Sequence, residues 1–336
     1  MIEPMVCKGR DLRVREGLMF ALFIAVLSLL TAGQTVAASL SVGGKSKGAY
    51  ATVQAAIDAL PATGGAIRIA PGVYREKLII AKPDVQLLGR GKAAGEVVLV
   101  WGDGALTAGG TFKSASVNVS GDGFRARNLT IQNDYHLRDA RPSQAVALAI
   151  TADRAVLDKV RLLGAQDTLY AASKKGKPSR QLFRDCYVEG HVDFIFGDAK
   201  AVFERCHIHG IAHDDVLITA QSKASPEQDS AYVFDRCRIT ADTAVKNLYF
   251  GRAWRPYATV VFLRTRIDAP LHPEGWREWT PGKTSTLDTA TYLEFASTGQ
   301  GASPTTREPR SHQLTAQDAK AWEAKRFLKG ADHWRP

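Results

Sequence analysis

The chain has 336 residues, of which 45% are hydrophobic, a length and composition that suit one large soluble domain or two small ones. Its 44 Lys and Arg outnumber its 34 Asp and Glu and give a net charge of +10, which favours an acidic partner such as a nucleic acid, an anionic lipid or an acidic polysaccharide. Because the sequence has no long basic run, no paired-Cys zinc pattern and no RNA-binding signature, we do not expect a nucleic acid.

The N-terminus has the pattern of a secretory signal. Arg10, Arg13 and Arg15 precede the apolar run 18–30, and small residues follow. Thirteen apolar residues are short for a membrane span, which needs about 20. We therefore predict a cleaved signal at 1–38, a secreted or periplasmic protein and no stable membrane insertion, with an uncleaved anchor as the alternative.

One amphipathic helix is predicted after the signal, and short strands follow it. The residues at helical spacing are Tyr50, Val53, Ile57 and Leu60. From Ala66 the apolar residues recur with a period of two, and Gly, Asn, Asp or Pro separate the segments. A second helix is expected only in the last 25 residues.

Five of the strand segments resemble one another, with an apolar pair, two mostly charged residues, a small residue and then alternation. They start at Val156, Leu182, Val202, Val233 and Val261. Such repeats, separated by 20 to 31 residues, predict an all-β solenoid in which each repeat is one coil. An antiparallel sandwich is the alternative, although two-residue hairpin turns are missing between the repeats.

Two aspartates lie 26 residues apart in hydrophobic phrases: Asp167 in GAQDTLY and Asp193 in GHVDFIFG. In a solenoid they occupy equivalent positions on successive coils, about 4.8 Å apart. Two carboxylates at that range cannot both ionise freely, so one is expected to keep its proton and the other to be an anion. That pair suits acid–base and nucleophilic chemistry, whereas each Asp alone would suit a turn cap.

Four segments in this order resemble the signatures of the pectin methylesterases, which are carbohydrate esterases. They are QAVAL at 144–148, GAQDTLY, GHVDFIFG and YFGRAWRPY at 249–257. GVYREK, LEFASTGQGA and the final HWRP also resemble family segments, so the likeness covers nearly the whole mature chain. It implies a single right-handed parallel β-helix domain at 39–336 that hydrolyses galacturonosyl methyl esters in pectin and releases methanol.

The resemblance also implies a role for five residues. Asp193 attacks the ester carbonyl, and Asp167 protonates the departing methanol and then accepts a proton from water. Gln144 and Gln166 donate N–H groups to the oxyanion, and Arg252 holds the Asp193 carboxylate.

Aromatic residues are the candidates for contacts with sugar rings. The resemblance places Phe196 and Trp254 beside the carboxylates. Tyr170, Tyr249, Trp276 and Trp279 are further candidates, although Tyr and Trp also fill cores. After Asn133 the family usually has Thr or another small residue where this chain has Asp134 and Tyr135, so other acyl substrates stay open.

Cysteine and histidine positions give two more expectations. Cys7 leaves with the signal, and Cys186 and Cys206 occupy the same repeat position one coil apart. Stacking and the resemblance to some bacterial members favour a Cys186–Cys206 disulfide with Cys237 free, against three stacked thiols. His207, His209 and His213 lack a completing ligand, so we expect no metal and no cofactor.

Several alternatives belong to other functional classes. A β-helix lyase or galacturonase would need a calcium-binding acidic cluster or closely spaced Asp pairs, which the sequence lacks. A thioesterase or another acyl esterase on this fold, or a non-catalytic polysaccharide-binding envelope protein, also stays open. The main expectation is a monomer acting on pectin, a methylated polygalacturonate.

Overall fold

The computed structural model describes residues 38–174 and 177–336, and the interpretation of the N-terminus as a signal falls on residues outside these ranges. In the described part, 27 strands form three parallel sheets, here named A, B and C. Strands are numbered along the chain. Sheet A contains β1 (Ser39–Val42), β2 (Gly65–Ile69), β5 (Val85–Gly89), β8 (Arg125–Arg127), β11 (Ala155–Asp158), β14 (Arg180–Arg184), β17 (Lys200–Glu204), β20 (Ala231–Asp235), β23 (Thr259–Leu263), β26 (Thr291–Phe295) and β27 (His312–Gln313).

The other two sheets have eight strands each. Sheet B contains β3 (Gly72–Arg75), β6 (Val97–Trp101), β9 (Thr130–Asn133), β12 (Arg161–Leu163), β15 (Tyr187–Gly190), β18 (His207–Gly210), β21 (Arg238–Ala241) and β24 (Arg266–Ile267). Sheet C contains β4 (Leu78–Ile80), β7 (Val117–Val119), β10 (Leu148–Ile150), β13 (Leu169–Ala171), β16 (Ile195–Gly197), β19 (Asp215–Gln221), β22 (Asn247–Arg252) and β25 (Trp276–Arg277).

The chain visits sheets A, B and C in turn, so each coil adds one strand to each sheet. This is the all-β solenoid that the repeats predict, in the form of the right-handed parallel β-helix that the family resemblance implies. The five repeat starts stack in register on sheet A: Val156 pairs with Leu182, then Val202, Val233 and Val261. Every strand pair named above is parallel, which excludes the antiparallel sandwich.

The predicted first helix is present as α1 (Val53–Ala59), and it packs on the first coils. The Thr52 hydroxyl caps it by accepting from the Ala55 N–H at 3.2 Å. The Glu76 carboxylate accepts from the N–H groups of Val53 and Gln54 at 2.8 and 2.9 Å, where a negative charge suits the helix start.

The C-terminal helix is shorter than expected. The segment forms α4 (Ala316–Ala319), a 3-10 turn (Lys320–Trp322) and α5 (Ala324–Phe327), because extended backbone at Glu323 interrupts it. These turns cover the apolar outer face of sheet A's later strands. The other short helices are α2 (Ala105–Ala108) and α3 (Tyr135–Arg138), with 3-10 turns at Ala94–Glu96, Thr111–Lys113, Thr286–Asp288 and Pro304–Thr306. No helix among the described residues is long and apolar enough to cross a bilayer.

Identical side chains stack inside the solenoid. Phe183, Phe203, Phe234 and Phe262 form a column with successive ring centroids 4.6 Å apart. This column lies in the continuous core that the coils bury.

The predicted Cys186–Cys206 disulfide is wrong in this structure, where Cys186, Cys206 and Cys237 are buried free thiols. In-register strands keep neighbouring Cβ atoms about one strand spacing apart, roughly 4.8 Å, with parallel Cα–Cβ directions. A disulfide needs Cβ atoms about 3.8 Å apart. The thiols instead donate to carbonyl oxygens, as Cys206 does to Phe183 at 3.3 Å.

One residue in the left-handed conformation turns the chain from sheet A into sheet B on most coils. We call this column the A–B turn column; its members have φ between 48° and 55° and are Asn128, Lys159, Asp185, Arg205, Arg236, Arg264 and Ala296. The N–H of each of the first six donates to a carbonyl of the next coil at 2.7–3.1 Å. The turn therefore keeps successive coils in register.

Candidate active site

Asp167 and Asp193 occupy equivalent positions on successive coils. Leu169 of β13 pairs with Ile195 of β16. Asp167 lies two residues before Leu169, and Asp193 lies two residues before Ile195. Both lie in turns between sheets B and C, with φ of 64° and 52°. Asp tolerates this left-handed conformation better than most residues. The turns thus stack the two carboxyl groups as the spacing predicts.

Asp193 is held by Arg252 from β22. The guanidinium donates from Nε to Oδ1 at 3.0 Å and from Nη2 to Oδ2 at 2.7 Å, and Asp193 is only 5% exposed. Arg252 is itself oriented by Trp279, whose carbonyl accepts from Nη1 at 3.2 Å and whose ring centroid lies 4.2 Å from Cζ. Burial raises the pKa of Asp193, and Arg252 and Arg277 oppose that rise.

Asp167 is buried without a cation of its own. No side chain in the described ranges forms an ion pair or a hydrogen bond with its carboxyl group. Burial, and then the charge of Asp193, raise the pKa of Asp167 well above the ordinary value. This asymmetry favours a protonated Asp167 beside an ionised Asp193.

Gln144 and Gln166 line the same cavity as the two carboxyl groups. The Ala145 N–H donates to the Gln166 carbonyl at 3.1 Å, so the two glutamines belong to adjacent coils. Both side chains are half-buried and carry N–H donors. They can bind an oxygen that becomes negative beside Asp193.

The cavity has a volume of about 360 Å³, within the range of small-ligand sites. Its lining residues are Thr111, Phe112, Gln144, Gln166, Asp167, Asp193, Phe196, Ala220, Arg252, Trp254 and Trp279. The structure thus brings together all five residues assigned to catalysis from the sequence.

An aromatic strip runs along the outer face of sheet C beside the carboxyl groups. Tyr170 and Phe196 are in register, with ring centroids 4.9 Å apart. Phe112 covers Tyr170 at 4.8 Å, and Trp254 lies 6.0 Å from Phe196. Phe112 is 52% exposed and was missed from the sequence, because it lies on a short 3-10 turn outside the repeats.

Two of the aromatic candidates lie elsewhere. Trp276 is 2% exposed and stacks on Tyr292 at 3.8 Å, so its ring lies in the core. Tyr249 lines a neighbouring groove, with its ring 5.4 Å from the guanidinium carbon of Arg277 and 4.6 Å from the ring of His272.

Asp134, the unusual residue after Asn133, anchors a loop. Its carboxylate pairs with Arg75 and lies 3.8 Å from Arg138. The neighbouring Asn133 side chain donates to the carbonyls of Asp103, Ser114 and Val146, which fixes the loops that carry Phe112 and Gln144. Asp134 is 8% exposed and is absent from the cavity lining.

The histidines make local contacts. His207 and His209 both contact the Thr240 hydroxyl at 2.7 Å, and His213 stacks on His191 at 4.4 Å. Burial, together with His213 and His136, lowers the pKa of His191 to about 4. His191 is therefore neutral above that pH, although it lies two residues before Asp193.

Comparisons with known proteins agree over nearly the whole described chain. The family model described as Pectinesterase matches residues 39–331. Pectinesterase 31 of Arabidopsis thaliana is 36% identical over 285 residues, which are 81% of this chain and 86% of that protein. Pectinesterase QRT1 of the same plant is 34% identical over 295 residues, 84% of this chain and 75% of its own.

Solved structures show the same architecture. A pectin methylesterase from carrot superposes with a TM-score of 0.78 at 30% identity, covering 88% of this chain and 93% of its own. The enzyme from Aspergillus niger gives 0.72 at 31% identity, with 83% and 90% covered. A pectin methylesterase in complex with a hexasaccharide gives 0.74 at 27% identity, with 90% and 100% covered.

Proposed function

This chain is a member of the pectinesterase family, and on that premise we propose how it hydrolyses the methyl esters of pectin: Asp193 is the nucleophile and Asp167 the general acid and base. The proposal rests on the different surroundings of the two stacked carboxyl groups. The Asp193 carboxylate accepts two hydrogen bonds from Arg252, whereas the Asp167 carboxyl group is buried beside the charge of Asp193.

In the first half-reaction an oxygen of the Asp193 carboxylate attacks the ester carbonyl carbon. The carbonyl oxygen becomes an oxyanion and accepts hydrogen bonds from the side-chain amides of Gln144 and Gln166. Asp167 donates its proton to the methoxy oxygen as the C–O bond breaks, and methanol leaves. The product is an anhydride between Asp193 and the galacturonosyl group.

In the second half-reaction Asp167, now a carboxylate, takes a proton from water. The water oxygen attacks the galacturonosyl carbon of the anhydride, and the bond to Asp193 breaks. Asp193 leaves as a carboxylate that Arg252 stabilises again, and Asp167 ends protonated, as it began. One ester and one water have become one galacturonic acid, which then loses its proton to solvent, and one methanol.

The aromatic strip supports binding of a sugar polymer. Phe196 and Trp254 lie beside the nucleophile, and Tyr170 with Phe112 extends the apolar wall. Tyr249, in the neighbouring groove with Arg277, would contact a sugar further along the chain. Asp134 is engaged by two arginines away from the cavity lining, so it gives no reason to prefer another acyl substrate.

Methanol release from highly methylated pectin, with polymer length followed in parallel, tests the function. We expect methanol without shortening of the polymer. Shortening with no methanol would instead indicate a lyase or a galacturonase, and binding without either product would indicate a polysaccharide-binding protein.

We propose further that the chain acts as a secreted or periplasmic monomer that begins near residue 39. The charged, apolar and small-residue pattern of 1–38 supports export. N-terminal sequencing of the exported protein and its mass in solution test this; an intact N-terminus or a dimer mass would contradict it.

A further inference from the structure

The outer face of sheet A has two unlike halves. On its later strands the outward residues are apolar and buried beneath the C-terminal turns, as Leu182, Val202 and Val233 show. On the earlier strands the outward residues Arg68 and Arg127 are exposed and stack in one column on either side of Leu88. Arg125 lies exposed in the next column.

The exposed half carries cations that have no acidic partner. Arg68, Arg90, Lys92, Arg125 and Lys159, which we call the cationic face, form no ion pair with any described residue. Three of them border a cavity of about 430 Å³. The neighbouring Arg127 is paired with Asp158 at 3.4 Å.

Cations of the A–B turn column on the later coils have acidic partners. Arg205 pairs with Asp185 at 2.9 Å, and Arg264 pairs with Asp235 at 2.7 Å. At the edge between sheets A and B, the cations of the later coils are therefore paired with carboxylates, whereas those of the cationic face on the earlier coils are unpaired among the described residues and leave that part positive. Such a field attracts a polyanion along several coils, at about 4.8 Å per coil.

The C-terminal segment extends the positive charge. Asp332 binds Arg180 at 2.6 Å, and the ring of Trp334 lies 5.3 Å from the same guanidinium carbon, so the segment is held on strand β14. Sheet A continues from Arg125 through Val156 to this strand. The segment's exposed cations form no ion pair within the described ranges, and they are Lys325, Arg326, Lys329 and Arg335.

We propose that the cationic face and the adjoining C-terminal segment bind demethylated stretches of polygalacturonate, at a surface on a different sheet from the cleft. The choice of polyanion rests on the proposed function, because the reaction itself creates carboxylates on a polymer that the cleft already holds. Binding there would retain the enzyme on pectin that is already partly demethylated, and it would leave the chemistry at Asp193 unchanged.

Binding of long polygalacturonate to an Asp193→Ala protein tests the inference without turnover. The test variant also carries Arg68→Gln, Lys92→Gln, Arg125→Gln and Lys159→Gln. The matched control instead carries four neutralised cations from sheet B and the loop after it: Arg161→Gln, Arg238→Gln, Arg266→Gln and Lys246→Gln. Both variants lose four positive charges and have the same cleft. A difference in affinity between them therefore reports neither net charge nor binding in the cleft.

At low salt we expect the sheet A variant to bind about tenfold or more weakly than the sheet B variant, and the difference to shrink at high salt as the charges are screened. Equal affinities of the two folded variants, or tighter binding of a DNA duplex than of polygalacturonate, would overturn the inference. Methanol release from a short, fully methylated oligogalacturonate by the same variants with Asp193 restored reports on the proposed function separately. We expect it to be equal to wild type, and its absence in the wild type would refute the esterase and not the cationic face.

Discussion

The turns from sheet A to sheet B and those from sheet B to sheet C both stack left-handed residues on successive coils. In the A–B turn column, Asp185 and Arg205 have φ of 52° and 53°, in the same left-handed region as Asp193 at 52° and Asp167 at 64°. The surroundings differ. Asp185 is paired with Arg205 at the solvent-exposed edge, whereas the two cleft aspartates are 5% and 9% exposed and Arg252 forms an ion pair with only one of them.

This difference shows that the repeat supplies position and that burial supplies reactivity. A solenoid stacks equivalent positions of successive coils at any turn, and an ion pair at an exposed turn, such as Arg205–Asp185, contributes little to stability. In the cleft the same stacking forces two carboxyl groups to share a buried site, which raises the pKa of Asp167 well above its ordinary value. The following variants test the contrast, from the largest expected effect to the smallest.

Asp193→Ala removes the nucleophile, so we expect methanol release to fall by about 10⁴-fold or more while binding of demethylated oligogalacturonate persists. The matched variant Asp185→Ala removes an aspartate of the same backbone conformation from the exposed column and should keep wild-type turnover. Substantial methanol release by pure Asp193→Ala would falsify the assignment.

Asp167→Asn keeps the shape but cannot protonate methanol, and we expect a loss of roughly 10²- to 10⁴-fold. An ester of a more acidic alcohol needs less protonation, so it should recover much of the lost rate when the same variant is assayed on both substrates. If the variant only shifted the pH optimum, or lost equal rates on both esters, Asp167 would not be the general acid.

Gln166→Ala removes one donor to the oxyanion and should lower kcat by roughly 10²-fold, with less effect on KM. Gln86→Ala, on the outer face of sheet A, is the matched control, and its kcat should equal the wild-type value. A Gln166→Ala enzyme with normal kcat would place that side chain outside the oxyanion site.

Asp167→Asn should also change how stability depends on pH. The raised pKa of Asp167 means that the folded protein holds the proton more tightly than the unfolded chain. The contribution of the protonated Asp167 to the free energy of unfolding is fully present below the unfolded pKa of about 3.9. It is lost as the pH rises through the pKa of the folded state. At neutral pH the variant should therefore have a higher free energy of unfolding than the wild type. Denaturant titrations at several pH values measure this, and no gain at any pH would contradict burial as the cause.

Arg205→Gln breaks an exposed pair in the A–B turn column, and we expect its free energy of unfolding to fall by less than about 1 kcal/mol. Turnover should not change. A larger destabilisation would mean that the Arg205–Asp185 ion pair, and not only the turn's backbone hydrogen bonds, holds the coils in register.

The sequence predicted the parts of the molecule that repeat. The five in-register segments and the stacking of Asp167 on Asp193 follow from spacing alone, because one coil has one geometry. The roles of Gln144, Gln166 and Arg252 needed the family resemblance, and the structure brings these residues together without testing what they do.

The errors lie where tertiary packing decides. Equal spacing suggested a disulfide for Cys186 and Cys206, but parallel stacking also keeps their side chains parallel. Trp276 is of a residue type that often contacts sugars, but its ring lies in the core. Phe112, in contrast, lines the cleft and lies on a turn outside the repeats. A single sequence gives no periodic signal that separates these two cases.

The single left-handed residue of the A–B turn also determines where the chain can accept an insertion. From β8 to β24, two residues separate each sheet A strand from the following sheet B strand, so an insertion there would break the hydrogen bonds between coils. The other two edges are permissive: the connection from β9 to β10 spans 134–147, and that from β25 to β26 spans 278–290. Those loops supply Gln144 and Trp279 to the cleft. Loop grafts at these two edges can therefore rebuild the walls of the cleft while its floor and the winding of the coils stay unchanged.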